Sequence, residues 1–304
     1  YTPYFFVIDQ NKDLTFKPAF FLDGKFSLQS EYRQKTKNTK HIADISLTKG
    51  YKSDKEDNGD TKSHFFLNSE IDLAFDSLLA SKLDINLEKT SSDTYLKIFE
   101  FNSPLLLGSL SELNSSIKLE LENENFDLMT SFEIFETLSG SNSDRFTYVL
   151  PNFSFSKNIL FENFDGNLMF TSSGNNKLYN TNINETSIIN DLNYESNNFF
   201  SKSGFKNKYT ILLKNVSSIG KNSIKYKESV QSDLSSAFIF DSMFPLEKEN
   251  NQYRELLTPK ISLRFNPTQM KNYKTNSSRL DTSNLFSKNR IGISDTLEAG
   301  RSIT

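Results

Sequence analysis

Apolar and polar residues alternate with a period of two from one end of this chain to the other, and few folds tolerate that pattern. In KFSLQSEYR, Phe26, Leu28 and Tyr32 alternate with Lys25, Ser27, Gln29, Glu31 and Arg33. Leu83, Ile85 and Leu87 alternate with Asp84, Asn86 and Glu88, and Ile117, Leu119 and Leu121 with Lys118, Glu120 and Glu122. Near the C-terminal end, Pro259, Ile261, Leu263 and Phe265 alternate with Lys260, Ser262 and Arg264. Residues i and i+2 share one face of a strand, so each segment carries one apolar and one polar face.

Turn-forming clusters punctuate the pattern at Asp9-Gln10-Asn11-Lys12, Asp23-Gly24, Glu122-Asn123-Glu124-Asn125 and Ser173-Gly174-Asn175-Asn176. Alternating runs joined by short turns form antiparallel hairpins. The pattern predicts about fourteen strands, near 3–9, 13–21, 25–34, 40–48, 63–74, 81–89, 114–122, 125–136, 145–157, 164–172, 185–195, 207–217, 233–243 and 253–266. Long polar connections are expected at 49–62, 196–206 and 267–287, with a further strand beginning near Asn289.

The fold class is therefore all-β and antiparallel, in one of two architectures. An up-and-down transmembrane β-barrel alternates short turns with longer loops and solvates its lumen, so one strand face meets lipid and the other water. A soluble β-sandwich also alternates, but it buries one face of every strand against a second sheet. The hydrophobic fraction is 36%, and about 40% with Gly counted, against roughly 45–50% in ordinary globular chains. A wide barrel accommodates that deficit without disorder, and 13% aromatic content speaks against a disordered chain. No run approaches the roughly 18 apolar residues of a spanning helix, so any membrane crossing is made by strands. The chain opens on Tyr1 with no signal segment ahead of it and reads as a piece of something longer.

Several chemistries are disfavoured by composition. The chain has no Cys, which removes thiol nucleophiles, disulfides, Cys-ligated zinc and iron–sulfur clusters. His41 and His64 are the only histidines and neither lies in a recognisable catalytic or metal motif. An enzyme reading therefore starts low, and neither a cofactor nor a metal is expected. A net charge of −3, with the charges dispersed, offers no basic stripe for nucleic acid. Glu120 and Glu122, or Asp54, Glu56 and Asp57, read as a solvated face or loop, because the second run lacks the spacing and glycine of a calcium loop.

The first hairpin carries the least ordinary feature, Pro3 and Pro18 inside its two expected strands. Proline has no N–H to give to a ladder and is confined to edges, strand starts and bulges. Pro3 reads either as the start of an edge strand or, if the sheet closes, as half of a seam built to open.

Those residues resemble a known family, LptD, the lipopolysaccharide-assembly protein of the Gram-negative outer membrane. Pro3-Tyr4-Phe5, Ile8, Asn11, Asp13, Thr15, Pro18, Gly24 and Glu31-Tyr32-Arg33 are similar to the opening of its barrel. SSDTYLKIFEF at 91–101, with Asp93 and Tyr95, Val149-Leu150-Pro151 and LLTPKISLRFNP at 256–267, with Pro259, follow in the family's order. The most specific block is LDTSNLFSKNRIGISDTLEAGRSIT at 280–304, carrying Asn284, Phe286, Asn289, Arg290, Gly292, Asp295 and Gly300. It departs from the family at Thr296, where an Arg is usual.

The resemblance spans the chain and implies a transport component. Residues 1–304 would be part of one very large outer-membrane barrel domain, without the upstream jellyroll and the C-terminal strands. Its implied partners are lipopolysaccharide, outer-membrane lipid, a plug lipoprotein of the LptE type and a periplasmic bridge of the LptA type reached through the jellyroll. Pro3 and Pro18 match the prolines associated in that family with lateral opening of the barrel. Another outer-membrane barrel, a porin or receptor, and a soluble β-sandwich binding protein are the alternatives.

Overall fold

In the computed structural model, residues 2–22, 24–53, 56–99, 101, 103–105, 111–139, 144–160, 165–250, 253–269 and 280–304 are described, with side chains 51–59 excepted. Among the described residues there are eighteen strands and one short helix: β1 (Tyr4–Asp9), β2 (Lys12–Phe20), β3 (Phe26–Lys35), β4 (Thr39–Ser53), β5 (Glu56–Asp72), β6 (Ala80–Thr90), α1 (Tyr95–Phe99), β7 (Glu112–Asn123), β8 (Phe126–Thr137), β9 (Phe146–Ile159), β10 (Gly166–Tyr179), β11 (Ile183–Ser196), β12 (Phe199–Phe200), β13 (Lys206–Lys221), β14 (Gln231–Met243), β15 (Leu246–Asn250), β16 (Tyr253–Leu257), β17 (Lys260–Asn266) and β18 (Gly300–Ile303). Sixteen form one sheet in the order β1 to β11, β13, β14, β17, β18, with β12 on β13; β15 and β16 make a separate hairpin. The order begins at β1 and ends at β18, so each has one unpaired edge among the described residues.

The expected alternation is present in three dimensions, with the burial that a water-soluble protein would reverse. On β3 to β5, Ser27, Gln29, Asp44, Ser46, Thr48 and His64 are all 3% exposed or less, while Ile45 and Leu47 between them are 46% and 52% exposed. The outward apolar side chains meet across strands, in the pairs Leu28 with Leu47, Ile45 with Phe65, Leu67 with Leu87 and Ile117 with Phe132. β17 repeats the arrangement, with Ser262, Arg264 and Asn266 buried and Ile261, Leu263 and Phe265 exposed. A soluble sandwich would cover these apolar faces with a second sheet, and they are open instead. Most strands have 9–17 residues, whereas a tilted strand needs about 9–11 to cross a bilayer.

Several expected boundaries are corrected. The connection expected at 49–62 is mostly strand: β4 and β5 continue their pairing past Thr48 through two register shifts, with Gly50 at a φ of 87°. Ladder bonds need no apolar side chains, so a polar extension beyond the lipid-facing band leaves no hydrophobic signal. The turn expected at Ser173–Asn176 lies within β10, and the chain turns instead at Asn180 and Thr181, both at positive φ. The strand expected over 253–266 is broken before Lys260, where Pro259 cannot donate to a ladder. Pro151 sits well inside β9. No strand begins near Asn289, and β18 starts at Gly300. The part of the expected 267–287 loop at 270–279 lies outside the described residues, as do the side chains of Asp54, Glu56 and Asp57.

By contacts the chain forms two compact units, one of Tyr1–Phe153 with 175–186 and 220–224, the other of 154–174, 187–219 and 225–304.

Candidate functional site

Three features stand on this frame: two segments folded onto polar strand faces, and the edge at β1. In the first unit, the connection between β6 and β7 folds back onto the polar face of β3 to β5. Tyr95, fully buried at the start of α1, shares hydrogen bonds with Ser46 Oγ at 2.8 Å and Thr48 Oγ1 at 2.7 Å. Thr48 donates to Ser27 Oγ, Ser46 meets His64 Nδ1 at 2.6 Å, and Gln29 donates to both oxygens of Asp44. His64 Nε2 lies 3.4 Å from Asp44 Oδ1. Burial pushes the Tyr95 hydroxyl pKa up, so it stays protonated and able to bridge.

Aromatic packing closes the contact. Phe66, Tyr95, Leu96, Leu113 and Leu138 form the buried cluster, with Phe99, Phe101 and Leu105 against it. His64 stacks on Phe66 at 4.7 Å and meets the Phe101 edge at 5.0 Å. Asp93 accepts a 2.6 Å bond from Arg145, which also pairs with Glu136. Ser46, His64 and Asp44 thus lie in a line, yet all are buried and Ser46 Oγ is already shared with Tyr95; the line fastens the segment. Of these residues the sequence singled out Asp93 and Tyr95. The wall groups that receive them were missed, because Ser46 and Asp44 look like any polar strand positions until β5 brings His64 opposite.

In the second unit, residues 280–299 fold onto the polar face of β13 and β17. Arg290 binds Glu298 with Nε at 2.7 Å and with Nη2, and donates to Ser302 Oγ at 2.8 Å. Arg264 of β17 reaches the same carboxylate at 3.3 Å and the carbonyl of Lys288, while Asn266 donates to the Glu298 carbonyl at 2.8 Å. Lys214, buried on β13, joins Asp191 to the Ser294 carbonyl. Asn289 spans the Gly292 turn, whose φ is 73°, by donating to the Ile293 carbonyl at 2.6 Å. Asn284 and Asp281 exchange backbone-to-side-chain bonds, Phe286 lies under the Lys260 ammonium at 4.7 Å, and Gly300 opens β18 at a φ of 94°. The Ser283 hydroxyl, with the N–H groups of Ser283 and Asn284, holds the Asp281 carboxyl below the usual carboxylate range. Asp295 accepts from Thr296, so the hydroxyl standing where an Arg is usual serves its neighbour.

The edge at β1 differs from the rest of the sheet. Here all of Tyr4, Phe5, Phe6, Val7 and Ile8 are at least half exposed, so apolar side chains stand on both faces. Asp13 and Arg33, singled out separately, pair across β2 and β3 at 2.9 Å. Pro3 was expected inside the first strand but precedes it; β1 pairs with β2 only from Tyr4 opposite Phe16. The bonds from Lys35 N to Asn11 O and from Phe21 N to Lys25 O fix the phase of the β2–β3 ladder, in which odd-numbered residues of β2 are bonded to β3. Pro18 is out of that phase, so its nitrogen faces β1 just past the last pair. By the same alternation Pro3 turns its nitrogen away from β2, toward the unpaired edge.

An antiparallel meander that sends its apolar side chains outward and keeps buried charges on the other face defines a wall of an outer-membrane β-barrel. Among the described residues no helix is long and apolar enough to cross a membrane. A family model described as LptD, LPS transport system D, matches residues 61–304, and the chain belongs to that family. It is an outer-membrane protein of lipopolysaccharide transport. The match takes in both folded-back segments and leaves the β1–β2 hairpin outside it. Curated proteins give no match. A solved structure described as a bacterial polysaccharide outer membrane secretin aligns at a TM-score of 0.32 and 10% identity over 97% of this chain and 82% of that one.

Proposed function

We propose that this chain is part of one large barrel domain that inserts lipopolysaccharide into the outer leaflet of a Gram-negative outer membrane through a lateral opening at β1. The observation that carries it is the direction of the two missing donors: Pro18 withholds one where the β1–β2 seam would continue past Tyr4 and Phe16, and Pro3 withholds one from the unpaired edge. Each ladder bond is worth about 0.5–1.5 kcal/mol net in water, and an unmet backbone group costs more in lipid, where no solvent replaces it. A seam short of donors on both sides of one strand parts at lower cost than its neighbours. Sugars travel along the polar face, and the acyl chains pass the seam into lipid. A plug lipoprotein of the LptE type and a periplasmic bridge of the LptA type are the partners this reading requires.

The test is Pro3→Val with Pro18→Val in the full-length protein. Restored donors stiffen the seam, and surface lipopolysaccharide, followed by labelling on intact cells, falls at unchanged protein level. Normal surface lipopolysaccharide in that variant removes the role of the prolines.

A further inference from the structure

Beside the seam, on the polar face of the first unit, a cavity of about 430 Å³ joins two kinds of surface. Phe5 and Val7 of β1 and Ile42 of β4 give it apolar walls; its cations are Lys12 and Arg33, paired with Asp9 and Asp13 of the same lining, and Lys35 and Lys40. Strand register puts Phe5, Val7, Arg33, Lys35, Lys40 and Ile42 on one face. A larger cavity of about 810 Å³ shares Lys35 and Lys40 and adds Lys37, with Lys82 and Lys118 set among the carboxylates Glu70, Asp72, Asp84 and Glu120 at its other side.

Lys35 and Lys40 are directly opposite one another in the β3–β4 ladder. Like charges in that relation destabilise a sheet. Glu70, 2.7 Å from Lys40, offsets one of them, and the ammonium groups of Lys35 and Lys37 have no ion-pair partner among the described residues. Phe5 and Val7, 57% and 71% exposed, extend apolar surface beside these cations. A site with two unpaired lysines, Lys35 and Lys37, beside Lys40 at one end and open apolar side chains at the other complements an amphiphile with an anionic head.

We propose that this pair of cavities binds the phosphorylated head of an acylated glycolipid, with phosphate between Lys35, Lys37 and Lys40 and an acyl chain along Phe5 and Val7. The site holds the amphiphile beside the seam before release, and so rests on the lateral-opening reading. A phosphate held by charge-assisted bonds from two lysines loses about tenfold or more in affinity when both are neutralised.

The experiment uses the full-length protein in detergent micelles, with a fluorescent acylated diphosphoryl disaccharide, its dephosphorylated form, its deacylated form and inorganic phosphate. Lys35→Gln with Lys40→Gln is expected to weaken the intact glycolipid about tenfold or more and to leave the dephosphorylated one unchanged. Phe5→Ser is expected to weaken both acylated forms and spare the deacylated one. Equal affinity of the wild-type protein for the two acylated glycolipids, or full affinity in the double-lysine variant, overturns the site. So does displacement of the glycolipid by millimolar inorganic phosphate alone, which marks a free-anion site. Heat-modified mobility on gels checks that each variant is folded. If these variants bind normally while the proline variant still blocks export, the site fails and the opening stands; normal export in the proline variant alongside weakened binding is the reverse.

Discussion

Replacing Tyr95 measures what holds the β6–β7 segment on the wall. Tyr95→Phe keeps the ring against Phe99 and Phe101 and removes the hydroxyl shared by Ser46 and Thr48. Each lost bond is worth about 0.5–1.5 kcal/mol net. Ser46 keeps His64 and Thr48 keeps Ser27, so the sum falls near the lower end, about 1–2 kcal/mol, or about 5- to 30-fold in the opening equilibrium. Tyr95→Ala also leaves a hole in the buried cluster and costs about 3–5 kcal/mol, more than a hundredfold. Hydrogen exchange read by mass spectrometry on the full-length protein in micelles reports the opening directly. Peptides spanning 95–99, where the Ile98 N–H is bonded to the Thr94 carbonyl, should exchange faster in the order wild type, Phe, Ala. Peptides from β3 to β5 should keep their protection. Wild-type exchange of 95–99 in Tyr95→Ala, or equal loss throughout β3 to β5, would refute a locally fastened segment.

The other tests probe the second segment and the outward face. Arg290→Ala strips Glu298 of its closest partner; because Glu298 keeps Arg264 and is partly exposed, the cost should be about 2–3 kcal/mol, below that of a fully buried pair. Chymotrypsin should then cut at Phe286 faster than in the wild type, with unchanged cleavage counting against the latch. Leu47→Arg places a charge on the lipid face, where the penalty is about 2–4 kcal/mol at mid-membrane; insertion into vesicles, followed by heat-modified mobility, should fall. The Asp281 turn responds to acid. Its folded carboxyl pKa is depressed, so its contribution is present above the unfolded value of about 3.9 and is lost as pH falls through the folded one. Exchange at the Ser283 and Asn284 amides should quicken below about pH 4 once corrected for intrinsic rates, and Asp281→Asn should abolish that pH dependence.

Much of this is legible in the sequence. Alternation gave the class of strand and the face each residue occupies, and the centres of most strands fell where it put them. It failed where strands run on beyond the apolar band, as in β4, β5 and β10, because backbone pairing continues there without an apolar alternation to mark it. Segments 91–101 and 280–304 stood out as motifs, but nothing in them says that they fold back onto the wall.

The sequence by itself determined that one face of each strand is apolar and the other polar, since a two-residue period forces that division wherever a strand forms. Tertiary structure decided the rest. Only strand register brings His64 beside Ser46, sets Lys35 against Lys40, and turns the nitrogens of Pro18 and Pro3 to opposite sides of β1. Those relations depend on which residues stand opposite across a ladder, and a one-residue slip would have reversed every one of them.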